Sequence, residues 1–220
     1  MSGHGGLGYR LLSMSASRNP PAVSARTLAH YQANAASFWE GTKDHDVTQN
    51  YAAFLAAIEA PSPLTLLDFG CGPGRDLGYF RSLGHEAVGL EGCSAFCAMA
   101  REHTSCEVLE QDFLALSLPE GRFHGVFANA SLFHVPSEHL PRVLGALRAT
   151  LKPRGVLFAS NPRGQNEEGF RAERYGVYWD LDSWREVVQG AGFDEVAHYY
   201  RPTGKPFDQQ PWLATVWRRA

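Results

Sequence analysis

The chain has 220 residues, of which 44% are hydrophobic and 20% charged, with a net charge of −3 and a pI near 6.3. This composition is typical of one soluble globular domain, and it lacks the basic field of a general nucleic-acid binder. No apolar run reaches the roughly 18 residues of a membrane span. The four cysteines lack the paired spacing of a zinc site, so we expect free thiols, no metal and a cytoplasmic location.

The N-terminal part of the chain predicts a tail followed by two helices. Residues 1–23 are rich in Gly, Ser, Pro and Ala, which predicts disorder, with an organellar transit peptide as the alternative. Apolar residues at helical spacing then predict one helix from a cap at Ser24 to Glu40 and another over Val47–Glu59. Residues 24–220 are expected to form a single domain.

From residue 64 onward, short apolar runs alternate with amphipathic segments. This alternation is typical of βαβ units in a doubly wound α/β sheet with right-handed crossovers. One predicted helix follows the first strand and ends near Leu83. The others cover Ser94–Glu102, Ser137–Leu151 and Asp182–Ala191. The predicted strands are Leu64–Phe69, Glu86–Leu90, Cys106–Leu109, Gly125–Ala128, Gly155–Ser160, Glu195–Tyr200 and Leu213–Trp217.

The first of these strands runs directly into a turn with three glycines, Gly70, Gly72 and Gly74. Glycine permits positive φ and lets the backbone approach a ligand closely, and open α/β sheets bind ligands at the carboxyl ends of their strands. The G-x-G-x-x-G pattern of dinucleotide sites and the Gly-Lys-Ser/Thr ending of a P-loop are both absent. The turn therefore predicts a nucleoside ligand without a pyrophosphate.

The segment LLDFGCGPGRD (66–76) resembles motif I of the class I S-adenosylmethionine (SAM) dependent methyltransferases. The resemblance continues through EQDF (110–113), ANASLFHVP (128–136) and LKPRGVLFASNPRG (151–164), in the same order and spacing. It implies a Rossmann-like sheet of seven strands with an antiparallel last strand, helices on both faces, and N-terminal helices (24–60) that form a lid. It also implies an enzyme that uses SAM as cofactor and leaves S-adenosylhomocysteine as product.

The resemblance assigns cofactor-binding roles to residues at the strand ends. Glu91 lies 21 residues after Gly70, where a carboxylate can accept hydrogen bonds from both ribose hydroxyls. Asp112 is expected to accept from the adenine amino group, or else to cap a helix. Arg75 is equally consistent with a surface position, and the lid aromatics with plain helix packing. The expected cofactor-binding residues are Asp68, Gly70, Cys71, Gly72, Gly74, Arg75, Glu91, Gly92, Gln111, Asp112, Phe113 and Asn129, with Tyr31 and Trp39 pointing inward from the lid.

His134 lies beside the expected methyl-transfer position and is the candidate catalytic residue, either as structural support or by deprotonating the acceptor. The acceptor site is expected between the lid and the polar segment NPRGQNEEGFRAERYGVYWD, which we interpret as a long loop. The candidate substrate contacts are Arg163, Tyr175 and Tyr178 in that segment and His45 and Gln49 in the lid.

The leading hypothesis is methyl transfer to an N, S or O atom of a small acidic or zwitterionic molecule. Arg163 can hold a carboxylate in fork geometry. We expect a monomer or homodimer without a membrane or nucleic-acid partner. A second hypothesis is an RNA methyltransferase acting on a tRNA nucleoside, with a basic patch of Arg163, Arg171, Arg174, Arg201 and Lys205. A third is a non-catalytic SAM-binding regulatory module.

Overall fold

The computed structural model describes residues 20–220. Disorder was predicted for residues 1–23, of which 1–19 lie outside the described part of the chain and 20–23 belong to a helix. Its helices are α1 (Pro20–Ala33), α2 (Ala35–Thr42), α3 (Thr48–Ala57), α4 (Arg75–Ser82), α5 (Ser94–Thr104), α6 (Leu140–Thr150) and α7 (Leu181–Gly190). Its strands are β1 (Thr65–Phe69), β2 (Glu86–Glu91), β3 (Glu107–Glu110), β4 (Phe123–Asn129), β5 (Leu151–Pro162), β6 (Glu167–Arg171), β7 (Arg174–Tyr178), β8 (Phe193–Arg201) and β9 (Trp212–Arg219).

Seven of the strands form one sheet in the order β3-β2-β1-β4-β5-β9-β8. Strands β1 to β5 pair in parallel, whereas β9 runs antiparallel to both β5 and β8. The predicted seven-stranded sheet with an antiparallel last strand is therefore confirmed. Parallel strands bring their carboxyl ends to one edge, so Gly70, Glu91 and Asn129 follow or end neighbouring strands at the same edge.

Two hydrophobic layers cover the sheet, because side chains alternate between its faces. Leu67, Phe69 and Val126 share one layer with helices α6 and α7. Leu66 and Phe127 share the other layer with helices α3, α4 and α5. Both layers consist of fully buried side chains, which explains why the parallel strands are near-continuous apolar runs in the sequence. Among residues 20–220, none of the helices has the length and apolar character to span a bilayer.

The first predicted helix, Ser24–Glu40, is wrong in its bounds, because the structure has two helices there. Helix α1 begins at Pro20, and the chain leaves helical geometry at Asn34, where φ is −118° and ψ is 17°. The Asn34 side-chain amide donates to the His30 carbonyl (2.7 Å), a local bond that competes with helix continuation. Ser24 lies inside α1 and donates its hydroxyl to Asp112 (2.6 Å), so it does not cap the helix as predicted.

The polar segment predicted as a loop contains a β-hairpin, β6–β7. Its strands pair from Glu167↔Tyr178 to Arg171↔Arg174, and they are joined by Ala172 and Glu173. Ala172 has a φ of 53°, a conformation for which the sequence gives no glycine, Asn or Asp signal. The hairpin packs against α1 through a bond from the Tyr175 N–H to the Thr27 hydroxyl (3.0 Å).

Candidate active site

A first cavity lies between α1 and the carboxyl edge of the sheet. Ser24, Thr27, Leu28 and Tyr31 form one face of α1, at the i, i+3, i+4, i+7 spacing of a helix, and all four line this cavity. The opposite wall contains the glycine-rich turn and the strand-end carboxylates, together with the apolar side chains Phe96, Phe113, Leu114 and Pro136. An apolar slot with carboxylates at its edge suits a flat ring that carries polar groups.

Glu91 is the buried carboxylate of the first cavity. Its Oε1 accepts from the N–H groups of Gly92 and Cys93 (both 2.8 Å), and its Oε2 accepts from the N–H of Gly72 (3.1 Å). Burial raises the pKa of Glu91, and these three N–H bonds oppose the rise. The three bonds leave about one of the four acceptor positions of the carboxylate free. That capacity suits one ribose hydroxyl rather than the two expected from the sequence.

Asp112 and Phe113 follow β3 and also line the first cavity. The Asp112 carboxylate accepts from the Ser24 hydroxyl and from the N–H of Leu114 (2.8 Å). Gln111 is different, because its side chain bonds both the N–H and the carbonyl of Ser117. Its amide therefore holds the loop after β3 together, and Gln111 lines neither cavity.

The glycines of the turn serve different purposes. At Gly70 an added Cβ would lie 2.5 Å from Cβ of Ser131, so a side chain there would push apart the ends of β1 and β4. At Gly72 the surrounding space is open, with Phe38 3.9 Å away, and the residue lines both cavities. Gly74, with a φ of 99°, packs against Ala100 of α5, so its role is to bring two helices together and not to approach a ligand.

A second cavity continues from the first on the side of α2, α3 and α4, and a buried polar network forms part of its wall. Asp76 accepts from the Tyr51 hydroxyl (2.6 Å), the Arg75 Nε–H (2.6 Å) and the Asn129 amide (3.0 Å). The Asn50 amide donates to Asn129 in turn (3.0 Å). Sequence analysis placed Arg75 and Asn129 at this site but missed Asn50 and Tyr51, since a buried polar network depends on packing between distant elements.

Asp68 of β1 lies beneath this network and is fully enclosed. Burial, and then the neighbouring Asp76, raise the pKa of Asp68 well above its usual value. Its Oδ2 atom is buried and has no hydrogen-bond partner among the described residues. Cys71 follows the end of β1 by two residues and is also buried. Burial raises the pKa of its thiol. Asp68 lines neither cavity, whereas Cys71 lines the second.

The basic side chains of the second cavity match the prediction only in part. His45, a predicted acceptor contact, lines it together with Arg75, Arg174 and Arg201, whereas Arg163 does not. The Arg163 guanidinium lies 3.5 Å from the Phe207 ring centroid and donates to the Phe207 carbonyl (2.7 Å). Arg174 comes from the unpredicted hairpin, and no carboxylate within residues 20–220 forms an ion pair with it. The hairpin therefore supplies a guanidinium group beside Tyr31 that a loop interpretation could not locate.

Three other predicted acceptor contacts also lie elsewhere. Tyr175 is buried in the core, with its hydroxyl bonded to Glu168. Tyr178 is covered by the Arg171 guanidinium, 3.4 Å from the ring centroid. The Gln49 amide donates to the Thr203 hydroxyl (3.1 Å). Tyr175 and Tyr178 belong to strand β7, where successive side chains alternate between faces. The sequence of a segment interpreted as a loop could not show which of the two turns inward.

The lid aromatics and His134 meet where the two cavities join. The Tyr31 hydroxyl is 2.9 Å from His134 Nε2, and His134 Nδ1 is 2.5 Å from the Tyr175 carbonyl oxygen. Burial lowers the pKa of His134 to about 4. Trp39 lines the second cavity and stacks on His103 with 4.6 Å between ring centroids. Both ring nitrogens of His134 are therefore engaged by the protein itself.

Comparison with known proteins adds an independent observation. Residues 66–155 match a protein family described as a methyltransferase domain. Over 154 residues the chain is 30% identical to trans-aconitate 2-methyltransferase of Yersinia pestis (strain Pestoides F), an alignment that covers 66% of this chain and 58% of that relative. These matches confirm the resemblance to the class I SAM-dependent methyltransferases. It spans less than two thirds of the length of this curated relative.

Other similar proteins are methyltransferases as well. A 116-residue segment is 34% identical to malonyl-[acyl-carrier protein] O-methyltransferase of Pectobacterium atrosepticum, covering 52% of this chain and 45% of that protein. The fold is similar to that of Burkholderia thailandensis 1,6-didemethyltoxoflavin-N1-methyltransferase, solved with its acceptor and S-adenosylhomocysteine. That similarity has a TM-score of 0.75 at 20% identity and covers 91% of this chain and 90% of the other.

The two cavities leave donors and acceptors free that fit SAM. In the first cavity Glu91 retains acceptor capacity, and the buried Ser131 hydroxyl has no partner among the described residues. In the second cavity the Arg75–Asp76–Asn129 network offers charged and polar groups to an amino acid. The two cavities share Tyr31, Phe38, Gly70, Gly72 and Ala130, so they form one continuous site. This arrangement fits a nucleoside joined to an amino acid.

Proposed function

We propose that this methyltransferase transfers the methyl group of SAM to an N, O or S atom of a small molecule that carries a negative charge. The observation that carries the proposal is the pair of guanidinium groups, Arg174 and Arg201, in the second cavity. Arg174 has no carboxylate partner within the described residues, and Nε of Arg201 is buried without a hydrogen-bond partner among them. Guanidinium groups in this state favour a carboxylate or phosphate.

SAM supplies an electrophilic methyl group on a positively charged sulfur. The role of the protein is to hold the two reactants in line, because orientation supplies much of the rate of such a displacement. Glu91 and Asp112 orient the nucleoside end, Arg75, Asp76 and Asn129 orient the amino-acid end, and α1 and α2 exclude water from the junction. Arg174 and Arg201 orient the acceptor by its charge.

His134 supports the site and does not deprotonate the acceptor in this proposal. Its lowered pKa keeps the imidazole neutral at neutral pH, but a group with a pKa of about 4 is a weak base. Its ring lines the first cavity and not the second. A carboxylate acceptor is already an adequate nucleophile, so the proposed chemistry needs no base for it.

The names of the relatives support an acidic acceptor. Trans-aconitate is a carboxylate, and a malonyl group carries one. The RNA hypothesis gains no support, because Arg163 and Arg171 lie flat on Phe207 and Tyr178. Those two guanidinium groups make separate local contacts rather than one face for phosphates.

The test is incubation of the protein with labelled SAM and a panel of small carboxylates and phosphates, followed by kinetics on the acceptor found. Arg174→Gln and Arg201→Gln should each raise the acceptor KM about tenfold or more while leaving the SAM KM nearly unchanged. Arg171→Gln is the matched control, because Arg171 pairs with Arg174 in the same hairpin but covers Tyr178. Equal effects of the Arg174 and Arg171 substitutions would overturn the proposal.

A further inference from the structure

The floor of the second cavity is a row of strand ends. Strands β4, β5, β9 and β8 are neighbours in the sheet, and each supplies a side chain to this cavity, namely Asn129, Ser160, Trp212 and Arg201. The register pairs Asn129 with Ser160 and Trp212 with Arg201. Ser160 pairs with Ala214, which is two residues from Trp212. Because paired residues share a face and side chains alternate along a strand, all four side chains lie on the same face of the sheet.

The sheet geometry gives the distances along this floor. Neighbouring strands lie about 4.8 Å apart, so β8 with Arg201 lies about 14 Å from β4 with Asn129. Asn129 belongs to the polar network that we assign to the amino-acid end of SAM. The second cavity has a volume of about 490 Å³, against about 90 Å³ for the first. The part of the floor formed by β5, β9 and β8 therefore lies beyond the cofactor and is left for the acceptor.

This part of the floor offers a hydroxyl, an aromatic ring and a cation, in that order. Ser160 is fully buried, and its Oγ has no hydrogen-bond partner among the described residues. Nε of Arg201 is likewise buried and unpartnered within residues 20–220, while its Nη2 donates to the Asp46 carbonyl (2.9 Å). Trp212 comes from the strand between them and is partly exposed, and Phe133 adds a second aromatic ring to the cavity wall. A polar site and a cationic site thus lie on the two sides of an aromatic surface.

We propose that the acceptor is a planar anion that lies on the Trp212 ring, with its charged group on Arg201 and a second polar group on the Ser160 hydroxyl. Contact between aromatic rings stabilises a complex beyond the burial of area alone. A buried hydroxyl without a partner costs free energy, which a polar atom of the acceptor recovers. This inference rests on the proposed function and deepens it, because it defines the shape of the small anion that the same cavity accepts.

Calorimetric titration with two matched carboxylates tests the inference without turnover, on protein saturated with S-adenosylhomocysteine. The probes are para-hydroxybenzoate, a flat ring with its charge and hydroxyl at opposite ends, and the saturated cyclohexane counterpart of the same acid. The flat ring should bind about fivefold more tightly. Trp212→Leu should abolish this preference, and Trp212→Phe should retain it. Ser160→Ala should weaken binding of para-hydroxybenzoate about fivefold but that of benzoate, which lacks the hydroxyl, by less than about twofold.

Phe207→Leu is the control, because this exposed aromatic residue lies between β8 and β9 but lines neither cavity, and it should leave both affinities unchanged. Equal binding of the flat and saturated acids would overturn the inference, as would equal weakening of both by Trp212→Leu. If the tryptophan variants do not fold, as judged by thermal unfolding, the Ser160→Ala comparison decides the question. Failure of both probes to bind would overturn the inference alone if another small anion is methylated, and the proposed function as well if none is.

Discussion

Glu91 shows at the scale of one residue how a carboxylate is prepared for a ligand. It is buried, and three backbone N–H groups hold it in one orientation. We expect Glu91→Gln to weaken SAM binding tenfold or more, about 1.4 kcal/mol, because the amide replaces one acceptor oxygen with a donor. Isothermal titration calorimetry on the folded variant measures this change.

Glu110→Gln is the matched control for that experiment. Glu110 is the register partner of Glu91 on β3, but it is exposed and lies 3.6 Å from Arg101. The control should bind SAM as the unmodified protein does. If the unmodified protein, Glu91→Gln and Glu110→Gln bound SAM with similar affinities, Glu91 would not be a cofactor-binding residue.

The sequence was informative about residues at strand ends and uninformative about residues whose direction depends on packing. Glu91 and Asp112 could be located because a strand end and a fixed spacing place them at the sheet edge. The position of Arg163 could not be predicted in this way, because its backbone bond to Pro211 and its contact with the Phe207 ring depend on a distant part of the chain. The acidic-substrate expectation stays a prediction, but its cationic partners are now Arg174 and Arg201.

At the scale of elements, helix α1 supplies a cap that α5 lacks. Cys93 precedes α5 without a side-chain cap of its own. The Gln32 side-chain oxygen accepts from the Ala95 N–H (3.0 Å), the Ser94 hydroxyl (3.0 Å) and the Cys93 thiol (3.4 Å). This single oxygen attaches the lid to the loop that follows Glu91.

We expect Gln32→Ala to loosen α1 and to destabilise the protein by about 1 kcal/mol, the usual cost of losing a helix cap. Amide hydrogen exchange should become faster in α1 and in the first turn of α5, because their shared bonds are lost. Gln49→Ala is the control, since Gln49 on α3 makes one exposed side-chain bond to Thr203. Unchanged exchange in α1 would show that packing alone holds the lid.

The hairpin β6–β7 was the element that sequence analysis missed. Its turn residues, Ala172 and Glu173, are not the glycine and asparagine that mark tight turns. The break at Asn34 was missed for a related reason, since one local side-chain bond interrupts an otherwise regular helical pattern. In both cases the local conformation departs from the usual propensity of its residues.

At the scale of the molecule, the cofactor connects the lid to the sheet. Residues 28–50 contribute Leu28, Tyr31 and Phe38 to the first cavity, opposite the strand ends. Saturating SAM or S-adenosylhomocysteine should therefore slow amide exchange in these residues, by up to about 100-fold at 100 times Kd. Hydrogen-exchange mass spectrometry with each ligand measures this protection.

Helix α7 provides the internal control, because it packs on β8 and α6 and lines neither cavity. Its exchange should change little on ligand binding. Equal protection of α7 and residues 28–50 would indicate general stabilisation of the domain. Residues 28–50 would then only pack on the domain and would not close over the cofactor.

The sheet was predictable because its constraints are the simplest. Buried parallel strands require apolar runs, the runs require helical crossovers, and crossovers have one hand. The strands predicted over Leu64–Phe69 and Glu86–Leu90 agree with β1 and β2 to within one residue. The acceptor side depends on the lid and the hairpin, whose mutual packing no local pattern encodes.

Tyr31 and Phe38 belong to the walls of both cavities at once, and this sharing has a mechanical consequence. If the second cavity holds the acceptor as proposed, a movement of α1 and α2 large enough to exchange the cofactor also opens the space around the acceptor. Exchange of the cofactor and release of the acceptor then occur in the same opening event. A protein with a separate entrance for each ligand could retain an acceptor through several rounds of methyl transfer. A shared wall instead suits a distributive enzyme, which modifies each bound molecule once.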